Sequence, residues 1–324
     1  MNRLTVLRAL FALAALCCVV SSPAQVYPSR PIRLIVPAAT SGVTDFIGRL
    51  IGQKLSERLG QPVVIENKPG AGGNLAAEQA ARAIPDGYTL LLGFTSPISI
   101  NPYLYKNMGF DGLRDFVPVT LLTSYPMVLV VNASLPANSL QEFLAIARRD
   151  PTALALGSAG VATTSHLTLE LLKRDAGVEI LHVPFKGEAA CIVALMAGDI
   201  QAVLATATVI LPQLSGGKLK VLAVTSKERT AVLPDVPTFA ESGLKDFDAV
   251  AWFGIMAPTG TPAPIIDRLS REITAILREP AVRAEITRRG LDVLGHDGNA
   301  FTSRVLQERA MWQRLVSDAR LKLD

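Results

Sequence analysis

Two stretches of the sequence carry the groups needed to hold an anion without a basic side chain. They read Pro37-Ala-Ala-Thr-Ser-Gly-Val-Thr-Asp45 and Gly157-Ser-Ala-Gly-Val-Ala-Thr-Thr-Ser-His166. Both are rich in Ser, Thr, Gly and Ala, and neither contains Lys or Arg. Small side chains let a ligand approach the backbone, and hydroxyl and amide groups supply hydrogen-bond donors. A carboxylate held there would be stabilised by these donors and by the dipole of a following helix.

The same residue types also cap ordinary helices, so one such loop alone would indicate only a helix start. Here the two loops occupy equivalent positions in two α/β units, and Phe94-Thr95-Ser96 follows a further predicted strand. This repetition favours a binding cleft lined by all three segments. Asp45 has two open interpretations: a carboxylate that favours a helix start, or a group that orders the ligand through water.

A glycine-rich turn, Lys68-Pro-Gly-Ala-Gly-Gly-Asn74, superficially resembles a phosphate loop. The dinucleotide fingerprint needs a glycine where Leu75 stands, and the Gly-Lys-Ser/Thr of a P-loop is absent. We therefore interpret this segment as a structural turn.

Metal and nucleophile chemistry are also poorly supported. His166 and Glu170 are four residues apart on a predicted helix, but no third ligand has a metal-site spacing, which favours a histidine that positions the helix. No G-x-S-x-G motif surrounds Ser165, and Cys191 lies among apolar residues, as a buried thiol would. We predict no catalytic residue, no metal and no cofactor.

A strand before each loop and a helix after it would position these residues. Ile32 to Val36 is a short apolar run typical of a buried strand. From Phe46 to Leu59, apolar residues recur at three- and four-residue steps, which predicts a helix ended by Gly60. The second loop follows a predicted strand, 154–158, and precedes a predicted helix, 166–176. In such units a ligand lies beyond the carboxyl ends of the strands.

The first three predicted strands, 32–36, 63–66 and 89–94, alternate with helices, which predicts a parallel sheet with right-handed crossovers, and the rest of the chain continues the alternation. We expect a polar loop over 95–105 and two crossings between lobes, at 117–126 and 250–258. The C-terminal helices are expected to return to the first lobe. The remaining predicted strands are 63–66, 89–94, 127–131, 180–183, 200–205 and 219–225, and the remaining helices are 75–84, 139–149, 188–196, 261–278, 280–289 and 300–319.

The N-terminus has the features of a secretory signal peptide. Basic residues flank an apolar run that ends at Val20, and Ser22-Pro-Ala24 has the small residues of a cleavage site, so we predict an exported protein cut after Ala24. A lipoprotein is the alternative, because Cys17 and Cys18 lie near the end of the apolar run. Leu16 is a poor residue before a lipidated cysteine, which favours ordinary secretion.

Charge and cysteine content exclude several classes of protein. The chain has 32 basic and 28 acidic residues, and removal of Arg3 and Arg8 with the signal would leave a formal charge of +2. This balance gives no reason to expect binding to nucleic acid or to an anionic membrane. Only Cys191 would remain of three cysteines, so no intrachain disulfide is possible.

Several longer segments resemble the Bug-type periplasmic receptors, the substrate-binding proteins of the tripartite tricarboxylate transporter family. The resemblance runs along nearly the whole mature chain: YPSRPIRLIVP, LGQPVVIENKPGAGGN, PDGYTLLLG, DFVPV, HVPFKG, LAVTSKER, LPDVPTFAESG and WFGIMAPTGTP. It implies an α/β fold of the type II, Venus-flytrap class, two-lobed with two crossover strands. It also implies a periplasmic, non-enzymatic receptor that binds a small carboxylated acid and delivers it to a membrane permease.

The resemblance also implies lobe boundaries and a set of site residues. Lobe 1 would comprise residues 25–125 and 251–324, lobe 2 residues 126–250, and residues 1–24 the signal peptide; the protein would be a monomer. A carboxylate would be held by the first loop and a second polar end by the second loop. The implied ligand-binding residues are Ala39, Thr40, Ser41, Gly42, Asp45, Thr95, Ser96, Ser158, Ala159, Gly160, Thr163, Thr164 and His166, with Phe185 as a wall.

This chain departs from the family pattern at several positions. The family's first loop usually reads like PFPPGGxxD, whereas Thr40 and Ser41 add hydroxyls here. Phe185 replaces a usual tyrosine, and Gln201 and Ala205 replace residues that are commonly acidic. These changes leave the identity of the acid open. Two alternatives to transport also remain: a sensor that signals through a membrane partner, and a secreted α/β enzyme acting on a small acid.

Overall fold

The computed structural model describes residues 27–40, 42–161 and 163–318. The predicted signal peptide with Cys17 and Cys18, the site residue Ser41, and the predicted helix end at Ala319 lie outside the described residues.

Within these ranges, ten strands form one mixed sheet in the order β2-β1-β3-β9-β4-β7-β5-β6, and β8 and β10 also pair with β4. Pairing is parallel for β1 with β2 and β3, and for β5 with β6 and β7, as the strand–helix alternation predicts. The strands are β1 Ile32–Val36, β2 Val63–Asn67, β3 Thr89–Phe94, β4 Phe116–Asn132, β5 Ala155–Ser158, β6 Leu181–Pro184, β7 Ala202–Thr206, β8 Leu219–Val224, β9 Val250–Pro258 and β10 Asp292–Asp297.

The long strand β4 joins the two halves of the sheet. Residues 116–126 pair with β9 and residues 120–124 with β10, whereas residues 127–132 pair with β7 and β8. β9 begins opposite Pro126, where the chain returns from the second half. The two predicted crossings, 117–126 and 250–258, are therefore both strands.

Helices cover the sheet, and each of the eight predicted helices is present. They are α1 Val43–Leu59, α2 Asn74–Ala81, α3 Leu140–Arg149, α4 Thr164–Ala176, α5 Glu188–Ala197, α6 Ala207–Leu214, α7 Ala263–Arg278, α8 Pro280–Arg288 and α9 Gly298–Asp318. Local signals explain their ends: Gly60 and Gly177 adopt left-handed conformations after α1 and α4, and the Ser139 hydroxyl accepts a hydrogen bond from the Glu142 N–H. No described helix is both long and apolar enough to cross a membrane.

Glycine lets α1 pack unusually close to the sheet. A Cβ at Gly48 would lie 2.7 Å from a methyl of Val36, and one at Gly52 would lie 2.7 Å from a methyl of Ile65. The fully buried residues Ile47 and Ile51 pack from the same helix into this core. Burial of each such side chain contributes about 1.5–3 kcal/mol. The start of α1, and with it the first loop, is thereby fixed against β1.

The C-terminal helix α9 corrects one expectation. Phe301 and Val305, near its start, pack in a core of the first half of the sheet, as predicted. Trp312 and Leu315, one to two turns before its end, instead pack with Phe143 and other residues of the second half. The helix is long enough to reach both cores, so it does not belong to one half alone.

The predicted polar loop over 95–105 is wrong, because this segment is helical. Ser96–Ile100 and Asn101–Leu104 form two short consecutive helices, and the side chains of Ile98, Ile100 and Leu104 are buried. Both prolines of the segment lie in the first turns of these helices, where a missing N–H costs nothing. The sequence analysis also missed α6 and β10.

Candidate functional site

The carboxyl ends of several strands meet where β4 passes between the two halves. Phe94, at the end of β3, pairs with Phe253, which pairs with Thr123 of β4. Thr206, at the end of β7, pairs with Met127 only four residues further along β4. Because β1 neighbours β3 and β5 neighbours β7 in parallel, the segments that follow all four strands lie around this crossing. The topology therefore places both loops at the crossing of β4.

The first loop presents small, accessible residues. Ala39, Thr40 and Gly42 are exposed, and Gly42 forms the N-cap of α1 with an extended backbone. The Ala38 N–H donates to the Val36 carbonyl, so the chain turns immediately at the end of β1. The loop thus offers a hydroxyl and backbone groups at the positive end of a 17-residue helix.

Asp45 holds this loop together. Its carboxylate accepts hydrogen bonds from Arg49 Nε at 2.9 Å and from Asn67 Nδ2 at 2.9 Å, and Asn67 Nδ2 also donates to the Ala38 carbonyl at 3.0 Å. Asp45 is buried and lies in the first turn of α1. These contacts favour the helix-start interpretation of Asp45, as a residue that positions the loop.

Thr95 and Ser96 follow β3 at the same crossing. Thr95 is fully buried, and its hydroxyl accepts a hydrogen bond from the Trp252 N–H at 2.9 Å. Its role is to tie the end of β3 to β9. Ser96 is partly exposed and begins the short helix that follows. Of the two, Ser96 is the residue available to a ligand.

The second loop is ordered by its own hydroxyls. The Thr163 hydroxyl donates to the Gly160 carbonyl at 2.7 Å and accepts from the His166 N–H at 3.4 Å, so it caps α4. The buried Ser158 hydroxyl accepts from the Gly160 N–H at 3.2 Å. Ser165 Oγ accepts from the Ala159 N–H at 3.0 Å. Ala159, Gly160, Thr163 and Thr164 are all partly exposed at the start of α4.

His166 packs against a second histidine behind this loop. The rings of His166 and His182 lie 3.9 Å apart at 10°, and His182 Nε2 is 2.6 Å from the Ser158 hydroxyl. Burial, assisted by the nearby His182 and Lys173, lowers the pKa of His166 to about 4. His166 is therefore neutral near pH 7, and its contacts support the predicted helix-positioning role.

Phe185 borders the second loop. Its N–H donates to the Ser158 carbonyl at 2.9 Å, and a Cβ at Gly157 would lie 3.2 Å from its ring. The side chain is partly exposed. Its position beside the loop is compatible with the predicted wall.

The structure adds three residues that the sequence analysis missed. Tyr125 of β4 stacks on Phe253, with ring centroids 5.3 Å apart, between the two halves. The Glu188 carboxylate accepts hydrogen bonds from the Thr206 hydroxyl at 2.6 Å and from its N–H at 3.2 Å. Burial raises the pKa of Glu188. Thr206 precedes α6 in the same way that Thr163 precedes α4. This similarity could have identified Thr206 from the sequence, but α6 was not predicted.

Other chemistry finds little support in the described part of the chain. No group of three His, Cys, Asp or Glu side chains there could hold a metal. Cys191 is buried, as predicted, and burial raises the pKa of its thiol to about 11, which disfavours the thiolate. Residues 71–73 form a tight turn in which a Cβ at Gly73 would lie 2.5 Å from the Phe94 ring, as a structural turn requires.

A cavity of about 420 Å³ lies away from both loops, between α4, residues 243–248 and Met311. Its lining mixes opposite charges, and Arg174 and Asp175 form an ion pair at 2.8 Å. Charges that neutralise each other give no preference for an anion, so the crossing is the better candidate for a ligand site.

Comparison with known proteins gives consistent matches over nearly the whole chain. Residues 47–321 match the sequence model of the tripartite tricarboxylate transporter family receptor. The chain is 34% identical over 301 residues to protein BugT of Bordetella pertussis, covering 93% of this chain and 92% of BugT.

Two solved structures with bound acids are also similar. One is Rpa4515 of R. palustris with adipate (34% identity, TM-score 0.79, covering 92% of this chain and 100% of that one). The other is MatC from Rhodopseudomonas palustris with bound malate (34% identity, TM-score 0.74, covering 90% and 100%). The predicted two-lobed α/β fold of periplasmic binding proteins is confirmed.

Proposed function

The chain belongs to the tripartite tricarboxylate transporter receptor family, and we propose that it binds a small carboxylated organic acid between its lobes and delivers it to a membrane permease of that type. Receptors of this family are periplasmic solute-binding proteins. The two proteins with bound adipate and malate support a dicarboxylate as the class of ligand here.

One observation carries the proposal: both hydroxyl- and glycine-rich loops follow strands whose carboxyl ends meet at the β4 crossing. Each loop leads into a helix of more than twelve residues, α1 or α4, whose N-terminus favours an anion. Two such sites facing one cleft suit a molecule with a polar group at each end.

The acid would be held in the following way. One carboxylate would bind the first loop at Ala39, Thr40, Ser41 and Gly42, with Ser96 beside it. The other polar end would bind the exposed groups of the second loop, Ala159, Gly160, Thr163 and Thr164, with Phe185 as a wall. Asp45, Thr95, Ser158 and His166 would position these groups from behind.

Closure of the two lobes would then bury the acid. We propose that residues 25–125 with 251–324, and residues 126–250, form two lobes that move about the crossing, with the C-terminal end of α9 staying packed in the second core. A ligand shifts this equilibrium only if it contacts the closed state better than the open one, which an acid touching both loops would do. The mature protein would act as a monomer in the periplasm, after removal of residues 1–24.

We propose that the protein has no catalytic activity. A secreted enzyme would need an accessible nucleophile with a base, paired carboxylates or a metal. The described residues include no metal-holding group, and the Ser158 hydroxyl, 2.6 Å from His182 Nε2, is fully buried and so closed to a substrate. A sensor that signals through a membrane partner would use the same site, so genes beside this one, for a permease or for a sensor kinase, would distinguish the two roles.

A thermal-shift screen tests the proposed function. We expect the mature protein to be stabilised by succinate, malate or adipate, because a ligand at about 100 times its Kd adds roughly 2.7 kcal/mol to the free energy of unfolding. Thr163→Val removes the hydroxyl that orders the second loop, so affinity should fall about tenfold. The unliganded protein should lose about 1 kcal/mol with this α4 cap.

Thr302→Val is the matched control. It also removes a threonine hydroxyl that donates to a glycine carbonyl, here that of Gly298, but at the far end of β4 from the crossing. Its affinity for the acids should equal that of the wild type. The absence of stabilisation by every acid in the screen, or turnover of any of them, would contradict the proposed function.

A further inference from the structure

Arg289 lies at the junction of the two halves, directly after α8. Its carbonyl accepts a hydrogen bond from the Thr208 hydroxyl in the first turn of α6 at 2.6 Å. Gly290 follows with φ = +80°, and a Cβ there would lie 3.2 Å from both Ala207 Cβ and Thr208 N. Asp292, two residues later, pairs with Ser124 of β4. The backbone of Arg289 is thus fixed close to the crossing.

The side chain of Arg289 points to the start of α1. Its guanidinium carbon lies 4.4 Å from the centroid of the Phe46 ring, in a cation–π contact. Phe46 is in the first turn of α1, four residues after Gly42. Side chains on a helix tilt toward its N-terminus, so the guanidinium lies at the end of α1 that carries the first loop.

The charge of Arg289 is not neutralised by a neighbour. Within residues 27–40, 42–161 and 163–318, its guanidinium forms no ion pair at 4.0 Å or less, and the side chain is exposed. The carboxylate of Asp45, in the same turn as Phe46, is occupied by Arg49 and Asn67. The two loops contain no Lys or Arg, and the nearby Arg49 is paired with Asp45, so the guanidinium of Arg289 is a cation at the start of α1 with no ion-pair partner among the described residues.

We propose that Arg289 is a specificity-determining residue that pairs with the carboxylate held at the first loop. This inference rests on the proposed function. A guanidinium stacked on an aromatic ring keeps its N–H edges available, and these match the two oxygens of a carboxylate. The exposed guanidinium stays in contact with solvent, so its attraction for the carboxylate is screened by salt. The site would therefore select an ionised carboxylate over an uncharged amide of the same shape.

Calorimetric titration of four proteins with malate and adipate tests this role. Arg289→Gln should weaken the binding of each acid about tenfold at about 10 mM salt, where the Debye length is about 30 Å. At about 1 M salt the loss should shrink to less than about threefold, because the charge is then screened. Arg289→Lys, which keeps the charge without the planar fork, should bind with intermediate affinity.

Arg288→Gln is the matched control, because it removes the adjacent exposed arginine of the same helix end. Its affinities should match those of the wild type. Equal affinities for Arg289→Gln and Arg288→Gln, or a loss that does not depend on salt, would overturn the role of Arg289 and leave the receptor function standing. Failure of both acids to bind the wild-type protein would instead count against the proposed function, and the inference would fall with it.

Discussion

Gly42→Trp should reduce the affinity for the bound acid about a hundredfold or more while the protein still folds. Gly42 has φ = −87°, which any residue adopts, and a Cβ there would meet no atom within 4 Å. The fold therefore tolerates a side chain, and the cost in unfolding free energy should be about 1 kcal/mol or less. The indole would occupy the space at the first loop that we assign to a carboxylate. Calorimetric titration and a urea unfolding curve measure the two effects separately.

Gly216→Trp provides the control for this substitution. Gly216 lies between α6 and β8, away from the crossing, and a Cβ there would make an ordinary contact of 3.5 Å with the Gln213 carbonyl. This variant should bind the acid as the wild type does. Retention of full affinity by Gly42→Trp would show that the first loop does not hold the ligand.

Glu308→Leu should lower the free energy of unfolding by about 3–5 kcal/mol. The Glu308 carboxylate is buried and accepts hydrogen bonds from Trp252 Nε1 and Arg304 Nε, both at 2.6 Å. Arg304 also donates to Asp248 at 2.9 Å. Loss of Glu308 would leave a largely buried cation with one fewer partner and a buried indole N–H with none. Urea denaturation measures the change.

The double variant Arg304→Met with Glu308→Leu separates the charge effect from simple loss of packing. Without the cation, the apolar replacement should recover at least about half of the loss, since buried ion pairs can often be replaced by apolar residues. A Glu308→Leu protein as stable as the wild type would contradict our account of how α9 is attached to β9.

The parts of the fold that could be predicted are those set by local sequence. These local signals act over a few residues, and the structure contains the elements that they predict. They are the apolar run of β1, the three- and four-residue periodicity of α1, and the glycines Gly60 and Gly177 that end helices. The prediction of a loop over 95–105 was wrong because its two prolines lie in the first turns of helices, where proline is compatible with a helix. Burial of Ile98 decides this case, and burial depends on the tertiary fold.

The site could be predicted only in part, for the same reason. Loops rich in Ser, Thr and Gly are visible in the sequence because the anion binding that we propose for them requires these residue types at adjacent positions. Other contacts cannot be read from the sequence, because strand register and helix packing bring the residues together. Examples are the contact of Arg289 with Phe46 and the hydrogen bonds between Glu188 and Thr206. Asp45 was ambiguous until its contacts with Arg49 and Asn67 were known.

Hydrogen–deuterium exchange tests most directly whether one acid contacts both loops. The mature protein is compared with and without the acid that stabilises it most, and exchange is followed in peptides that cover residues 37–45 and 157–166. We predict slower exchange in both peptides, with little change in residues 243–248 beside the distant cavity. Protection of only one loop, or protection confined to residues 243–248, would contradict a site between the two lobes.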